Sequence, residues 1–136
     1  MKKQLVLAVL LVGLALVLTA CGGGPKASTD LKVAFTDFTF TPTTFTIPAG
    51  KEITLTATNN GKVVHEFVIM KAGTAVSIPF GDDDEGNIYW EVEAEPGKTV
   101  TGTFTAPSEP GEYQLICGTE GHVEAGMMGK VIVVAP

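Results

Sequence analysis

Short runs of alternating or apolar residues, separated by turn-forming residues, cover the chain from residue 31 onward. Ile53, Leu55 and Ala57 alternate with threonines, which is the period of a half-buried β-strand. No segment of this region has a convincing helical pattern. Strands are predicted over Leu31–Phe40, Thr44–Ile47, Glu52–Thr58, Val63–Met70, Ile88–Val92, Thr99–Phe104, Glu112–Cys117 and Lys130–Val134.

Turn signals between these runs point to the fold class. They lie at Pro48–Gly50, Asn59–Gly61, Pro96–Gly97 and Pro110–Gly111. Many short strands at such spacing favour an all-β protein with the architecture of a β-sandwich. The segment 72–95 is less regular and contains four adjacent acids, Asp82–Glu85, for which we expect a solvated loop because like charges repel. Their spacing does not match an EF-hand, so calcium binding is not favoured.

The amino terminus has the pattern of an export signal. Lys2 and Lys3 precede an apolar stretch over residues 5–18, which is too short to cross a bilayer comfortably. The stretch ends in Leu-Thr-Ala-Cys21, which resembles the lipobox of bacterial lipoproteins and implies cleavage before Cys21 and acylation of its thiol. The alternative is an ordinary secretory peptide cut at a nearby alanine. In either case we expect export, and the lipobox implies a lipid anchor in the cell membrane, facing the periplasm or the cell exterior.

The expected organisation is a lipoprotein signal peptide over 1–20, a glycine-rich flexible tether over 21–30 and one domain over 31–136. Removal of the signal peptide leaves 116 residues, enough for one hydrophobic core, and changes the formal charge from −6 to −8 because Lys2 and Lys3 are lost. The chain contains no arginine, so nucleic acid is not an expected partner.

The candidate chemistry lies mainly near the carboxyl terminus. Cys117 follows an apolar strand, His122 follows five residues later, and Met127 and Met128 come next. The other histidine of the chain is His65, which alternation places on one strand face with Val63, Phe67 and Ile69. A lone histidine or a buried thiol is usually structural. One thiolate and two imidazoles with a weak axial thioether, however, are the donor set of electron-transfer copper sites. Spacing alone leaves Met127 and Met128 as equal axial candidates.

The segment His122-Val-Glu-Ala-Gly-Met127-Met-Gly-Lys-Val resembles the plastocyanin loop of the cupredoxins, while the Cys-x4-His spacing is similar to that of the auracyanins. The resemblance implies a Greek-key β-sandwich holding one type 1 copper. His65, Cys117 and His122 would be its equatorial ligands and Met127 its axial ligand. It also implies a docking face near His122. Cupredoxins commonly have asparagine directly after the first histidine, where it ties the two ligand loops together, whereas this chain has Glu66.

An electron carrier is the function that this ligand set predicts, rather than an enzyme. Multicopper oxidases and nitrite reductases need further histidines for a second copper centre, and a dinuclear electron-transfer centre needs two thiolates in the domain. The alternative is a module for copper storage or delivery, and zinc would accept the same three equatorial groups. No Gly-x-Ser-x-Gly segment supports a hydrolase.

The acidic charge suggests partners that are basic redox proteins, for instance an exported cytochrome, which long-range attraction would steer toward the protein. The run Asp82–Glu85 is a candidate docking patch, although these acids could equally serve solubility alone. We expect the protein to be a monomer.

Overall fold

Nine β-strands and one 3-10 helix make up the part of the chain that the computed structural model describes, residues 26–136. The predicted signal peptide, Cys21 and the first half of the predicted tether lie outside these residues. Within them, no helix is long and apolar enough to cross a membrane. The strands are β1 (Asp30–Thr36), β2 (Thr39–Thr41), β3 (Thr44–Pro48), β4 (Glu52–Asn59), β5 (His65–Met70), β6 (Ile88–Ala94), β7 (Thr99–Thr105), β8 (Gly111–Ile116) and β9 (Met128–Val134).

The first sheet has the strand order β2-β1-β4-β7. β1 and β4 are parallel, while β1 and β2 form an antiparallel hairpin in which Thr36 pairs with Thr39. The alternation predicted for β4 is confirmed, because Ile53, Leu55 and Ala57 are all fully buried. Each strand of this sheet therefore places one face against the core, and the threonines of β4 and β7 line the opposite face.

The second sheet has the order β3-β9-β8-β5-β6. β5 and β8 are antiparallel neighbours, with Val68 opposite Ile116. This pairing matters for function because it sets the amino-terminal end of β5 beside the carboxyl-terminal end of β8. Two segments that are far apart in sequence thus meet at one end of the sandwich.

The core lies between the two sheets and contains most of the large apolar side chains. Phe67 lies at its centre, in edge contact with Phe40 and Phe45 at ring-centroid separations of 5.9 and 5.3 Å. Such edge-to-face arrangements suit the charge distribution of aromatic rings. The all-β sandwich predicted from the strand pattern is confirmed.

A second apolar cluster covers the outer face of the five-stranded sheet. Its buried members are Val68, Met70, Ile116 and Val123, and the irregular segment after β5 packs on them through Phe80 and other side chains. The segment Phe67–Met70 of β5 is therefore buried on both faces, which is why these four residues are all apolar. Alternation predicted that Val63 would share the face of His65, and this is wrong: β5 begins only at His65, and Val63 is 44% exposed.

Two further expectations are corrected by the structure. The predicted strand over Leu31–Phe40 is divided into β1 and β2 by a tight turn at Asp37 and Phe38. The expected solvated loop at Asp82–Glu85 is the beginning of a 3-10 helix, and Asp84 is 2% exposed. Its carboxylate accepts hydrogen bonds from the backbone N–H groups of Ser77 and Gly81, both at 3.3 Å. These bonds compensate the loss of water around one of the four charges.

Candidate metal centre

The three predicted equatorial ligands come together at one end of the sandwich. The donor atoms that His65, Cys117 and His122 can offer lie within 4.8 Å of one another. His65 and Cys117 are fully buried and His122 is 6% exposed. The three side chains are therefore shielded from solvent, and the edge of His122 is the part of the group closest to it.

His65 is held by a neighbouring strand of its own sheet and by the β1–β2 turn of the other sheet. It is the first residue of β5 and pairs with Ala94 of β6. Its Nδ1 lies 3.7 Å from the Sγ of Cys117, while its Nε2 lies 3.4 Å from Oδ1 of Asp37. Donation from Nε2–H to this carboxylate leaves the Nδ1 lone pair free for a metal. Asp37 is suited to the role, because a backbone hydrogen bond from Lys62, followed by smaller effects of His65, lowers its pKa.

The Asn59 side chain secures the loop that leads into His65. Its amide donates to the carbonyls of Val63 and Ala94, both at 2.8 Å, and its Oδ1 accepts the N–H of Gly61 at 2.8 Å. Asn59 is fully buried, so these bonds satisfy groups that water cannot reach. The sequence identified this residue only as part of a turn.

Cys117 lies immediately after β8, where the strand gives way to a glycine-rich loop. Its Sγ accepts a hydrogen bond from the backbone N–H of Glu66 at 3.3 Å and lies 3.2 Å from Nδ1 of His122. The thiolate is the form of cysteine that binds a metal, and a backbone N–H group is already directed at this sulfur. Glu66 thus contributes through its backbone, whichever side chain it carries.

The ligand loop is closed on itself by backbone hydrogen bonds. Cys117 N–H donates to the carbonyl of Met127 at 3.1 Å, and Met127 N–H donates to that of His122 at 2.9 Å. Gly121 and Gly126 have φ angles of +80° and +87°, which side chains other than glycine rarely adopt. These two glycines let the loop bend so that both histidine and cysteine face inward.

The structure distinguishes the two methionines. Met127 is fully buried in the same core cluster as Cys117. Met128 begins β9 and packs instead against the outer cluster that contains Val68 and Ile116. Met127 is therefore the methionine placed on the side of the ligands.

The Thr119 hydroxyl connects the two halves of the site. It donates to the carbonyl of Val64 at 3.1 Å and lies 3.5 Å from the Sγ of Cys117. Val64 directly precedes His65, so this bond ties the cysteine loop to the histidine strand. Nothing in the sequence singled out this residue, since Thr119 is one polar residue in a polar loop.

The Glu66 side chain lies against Gly118, on the outer side of the ligand loop. Burial raises the pKa of Glu66, and the neighbouring carboxylates of Glu91 and Glu93 add to this effect.

Burial lowers the pKa of His122, with a further contribution from His65. A lowered pKa favours the neutral imidazole, which is the form that binds a metal.

The spacing of the donors fits a trigonal metal site. Metal–sulfur bonds of about 2.3 Å and metal–nitrogen bonds of about 2.0 Å, at roughly 120°, put sulfur and nitrogen about 3.7 Å apart. The distance from the Cys117 sulfur to Nδ1 of His65, 3.7 Å, already matches this value, and the distance to Nδ1 of His122, 3.2 Å, requires only a small opening of the loop. The thiolate and the buried thioether of Met127 are soft donors that favour copper over harder metals.

Comparisons with known proteins agree with this site. A family model described as cupredoxin-like domain matches residues 7–133. Auracyanin-A of Chloroflexus aurantiacus is 30% identical over an alignment that covers 96% of this chain and 96% of that protein. The copper-resistant cuproprotein CopI of Rubrivivax gelatinosus is also 30% identical, over 82% of this chain and 70% of CopI. The crystal structure of dithionite-reduced auracyanin from Roseiflexus castenholzii superimposes with a TM-score of 0.69 and 32% identity, covering 80% of this chain and 99% of that one.

Proposed function

The chain belongs to the cupredoxin-like family, and from this premise we propose that it carries single electrons at the outer side of the cytoplasmic membrane. Its site is a type 1 copper site formed by His65, Cys117, His122 and Met127. Copper bound there would supply the redox chemistry by alternating between Cu(I) and Cu(II). The observation that carries the proposal is the convergence of one thiol and two imidazoles in a buried position.

The protein itself contributes rigidity and exclusion of water. His65 and Cys117 lie at the ends of two hydrogen-bonded strands, and the loop from Cys117 to Met127 is closed by backbone bonds at both of its ends. Ligands held in this way move little when the metal charge changes by one. Electrons would pass most directly by way of His122, since its edge is the part of the site closest to solvent.

Electron exchange with a soluble cytochrome tests the carrier function. We expect the reduced, copper-loaded protein to transfer one electron per molecule in a stopped-flow experiment. Cys117→Ser is the matched control, because it keeps both imidazoles and removes the thiolate. If wild-type protein loaded with one copper exchanges no electrons with any of several cytochromes, the carrier proposal is wrong.

Copper storage or delivery is the second candidate, and the similarity to a protein named copper-resistant supports it. Burial of the donors supports retention of the metal instead, because a delivery site must open to its acceptor. Incubation of the copper-loaded protein with a Cu(I) chelator separates a carrier from a delivery protein, whereas the electron-exchange experiment above separates a carrier from a storage protein. A carrier should release copper over hours, whereas a delivery protein should release it within seconds.

We also propose that Cys21 carries the lipid that holds the domain at the membrane. The support is the sequence Leu-Thr-Ala-Cys21 together with the glycine-rich residues that follow it. A protein held by several acyl chains stays bound, whereas one chain holds it only marginally. Labelled fatty acid should be incorporated into wild type and not into Cys21→Ala. If neither protein incorporates the label, Cys21 is not acylated, and cleavage as an ordinary secretory peptide is the remaining explanation.

We further propose that the partner is a basic redox protein that docks on an acidic cleft. The cleft is lined by Glu66 and Gly118 beside the ligands, by Phe80, and by the carboxylates of Asp82, Glu85, Glu91 and Glu120. The acidic run that the sequence singled out therefore borders the same cleft as the neighbours of two copper ligands. Opposite charge on a partner would raise the rate of encounter.

The salt dependence of electron transfer tests this docking site. The Debye length falls from about 30 Å at 0.01 M to about 10 Å at 0.1 M salt, so a steered reaction must slow over that range. The variant changes Asp82, Asp83 and Glu85 to amides and leaves Asp84, which is structural. The control changes Asp30, Glu52 and Glu109 to amides, which removes the same number of charges at the end of the sandwich opposite the metal centre. Equal salt slopes for the two variants would show that the cleft is not the docking site.

A further inference from the structure

The turn between β1 and β2 contacts both histidine ligands, although it belongs to the other sheet. Oδ1 of Asp37 is 3.4 Å from Nε2 of His65. The ring of Phe38 meets the His122 imidazole edge to face, with centroids 5.1 Å apart and planes at 73°. Two consecutive residues therefore reach the two imidazoles from outside the ligand loop.

The contact of Asp37 with His65 is built into the surrounding backbone. The N–H of Lys62 donates to Oδ1 of Asp37 at 2.9 Å, which fixes the carboxylate in place. Gly61 leaves the space that this approach requires. A Cβ at Gly61 would lie 2.5 Å from the Asp37 oxygen and 2.7 Å from Nε2 of His65. A side chain at position 61 would therefore separate the carboxylate from the imidazole.

The contact of Phe38 with His122 is made at a conformational cost. Phe38 has a φ angle of +66° and is the one residue other than glycine with a positive φ among residues 26–136. A bulky residue in this conformation is strained. Burial does not explain its presence, because Phe38 is 49% exposed. The strained conformation places an aromatic ring over the solvent-facing edge of the His122 ligand.

We propose that the β1–β2 turn is an outer layer of the copper site, in which Asp37 positions His65 and Phe38 positions His122 and keeps water from it. Asp37 orients the imidazole by accepting its Nε2–H and adds a negative charge near the metal, which stabilises Cu(II). Phe38 restricts rotation of His122 and lowers the local polarity, which stabilises Cu(I). This inference rests on the copper site described above and requires no particular redox partner.

Substitution of Asp37 tests the first half. Asp37→Asn keeps the shape and the acceptor oxygen but removes the charge, and mutation of a residue that supports a metal ligand typically weakens metal binding about 10-fold. If only Cu(II) binding is weakened, a tenfold loss raises the reduction potential by about 59 mV. Asp30→Asn is the matched control, since it removes the same charge at the other end of β1, about 20 Å away. An equal shift in both variants, or none in Asp37→Asn, overturns the role of Asp37.

Substitution of Phe38 tests the second half with the opposite sign. Phe38→Gly relieves the strained φ, so the metal-free protein should be at least as stable as wild type. The copper-loaded variant should nevertheless have a lower potential and release copper to a chelator about 10-fold faster. Phe38→Tyr keeps the ring over His122 and should behave as wild type. A role in folding alone predicts an unchanged potential in Phe38→Gly, and that result would overturn the proposal.

Failure of this inference is distinguishable from failure of the proposed function. Copper-loaded wild type that lacks a type 1 visible spectrum would contradict the copper site itself. A normal spectrum and potential in wild type, Asp37→Asn and Phe38→Gly alike would leave the copper site intact and refute the role of the turn.

Discussion

Replacement of Thr119 by valine should separate the stability of the copper site from that of the sandwich. The Thr119 hydroxyl donates to the carbonyl of Val64, one residue before His65, and so joins the cysteine loop to the histidine strand. In the cupredoxins that this chain resembles, asparagine after the first histidine commonly makes the tie between the ligand loops. Glu66 occupies that position here, and its side chain lies against Gly118. Thr119 therefore takes over the connection.

The expected magnitude follows from the loss of one hydrogen bond. Valine has nearly the same shape as threonine, so packing changes little. A net loss of about 1 kcal/mol is typical when one hydrogen bond is removed. For a domain of this size it lowers the melting temperature by roughly 4 °C. The copper-loaded protein should lose more stability than the metal-free protein, because a loop that is less fixed binds the metal less tightly.

Urea unfolding of the metal-free and copper-loaded forms measures both effects. Thr101→Val is the matched control, since Thr101 lies 3.5 Å from the Thr56 hydroxyl on the exposed face of the first sheet. Exposed substitutions of this kind usually change the free energy of unfolding by less than about 0.5 kcal/mol. If Thr119→Val loses no more stability than Thr101→Val in either form, Thr119 does not tie the ligand loops together.

Two further predictions concern the axial ligand and a buried tyrosine. Met127→Leu should keep the visible colour and raise the reduction potential, because a weak donor that favours Cu(II) is lost. Met128→Leu should change the potential little. Spectroelectrochemistry measures both variants, and the reverse result would make Met128 the axial ligand. Tyr113 donates its hydroxyl to the carbonyl of Glu109 at 2.9 Å, so Tyr113→Phe should lower the free energy of unfolding by about 1 kcal/mol. Burial raises the pKa of Tyr113, with a smaller effect of Glu109, so wild type should lose stability as the pH rises above about 10, the pKa in the unfolded chain. Melting temperatures between pH 8 and pH 11 should show this alkaline loss in wild type and less of it in Tyr113→Phe, and equal losses would contradict the assignment.

Periodicity revealed the parts of the fold that depend on one-sided burial. The alternation at Ile53, Leu55 and Ala57 identified a strand because each of these side chains packs in the core. It failed at Val63, because β5 is buried on both faces and its apolar run does not mark where the strand begins. It also missed the turn at Asp37, which contains neither glycine nor proline and lies within a run in which apolar and polar residues alternate.

The donor atoms of the site could be identified from the sequence because histidine and cysteine are rare in this chain. Their supporting residues could not be identified. These residues act through hydrogen bonds to partners that are distant in sequence. Asp37 and His65, for instance, are 28 residues apart, and one bond of Asn59 and one of Thr119 also reach partners that are distant in sequence. The burial of Asp84 could not be predicted for the same reason. The backbone N–H groups that bind its carboxylate come together only when the segment is folded.

The visible absorption spectrum of the full-length protein loaded with one Cu(II) tests the central claim most directly. Transfer of charge from the Cys117 thiolate to copper should colour the protein intensely. Cys117→Ser should bind copper through its two imidazoles without that colour, because an alcohol cannot supply the thiolate donor. A colourless wild-type protein with one bound Cu(II), or an equally coloured Cys117→Ser variant, would contradict a copper site built on Cys117.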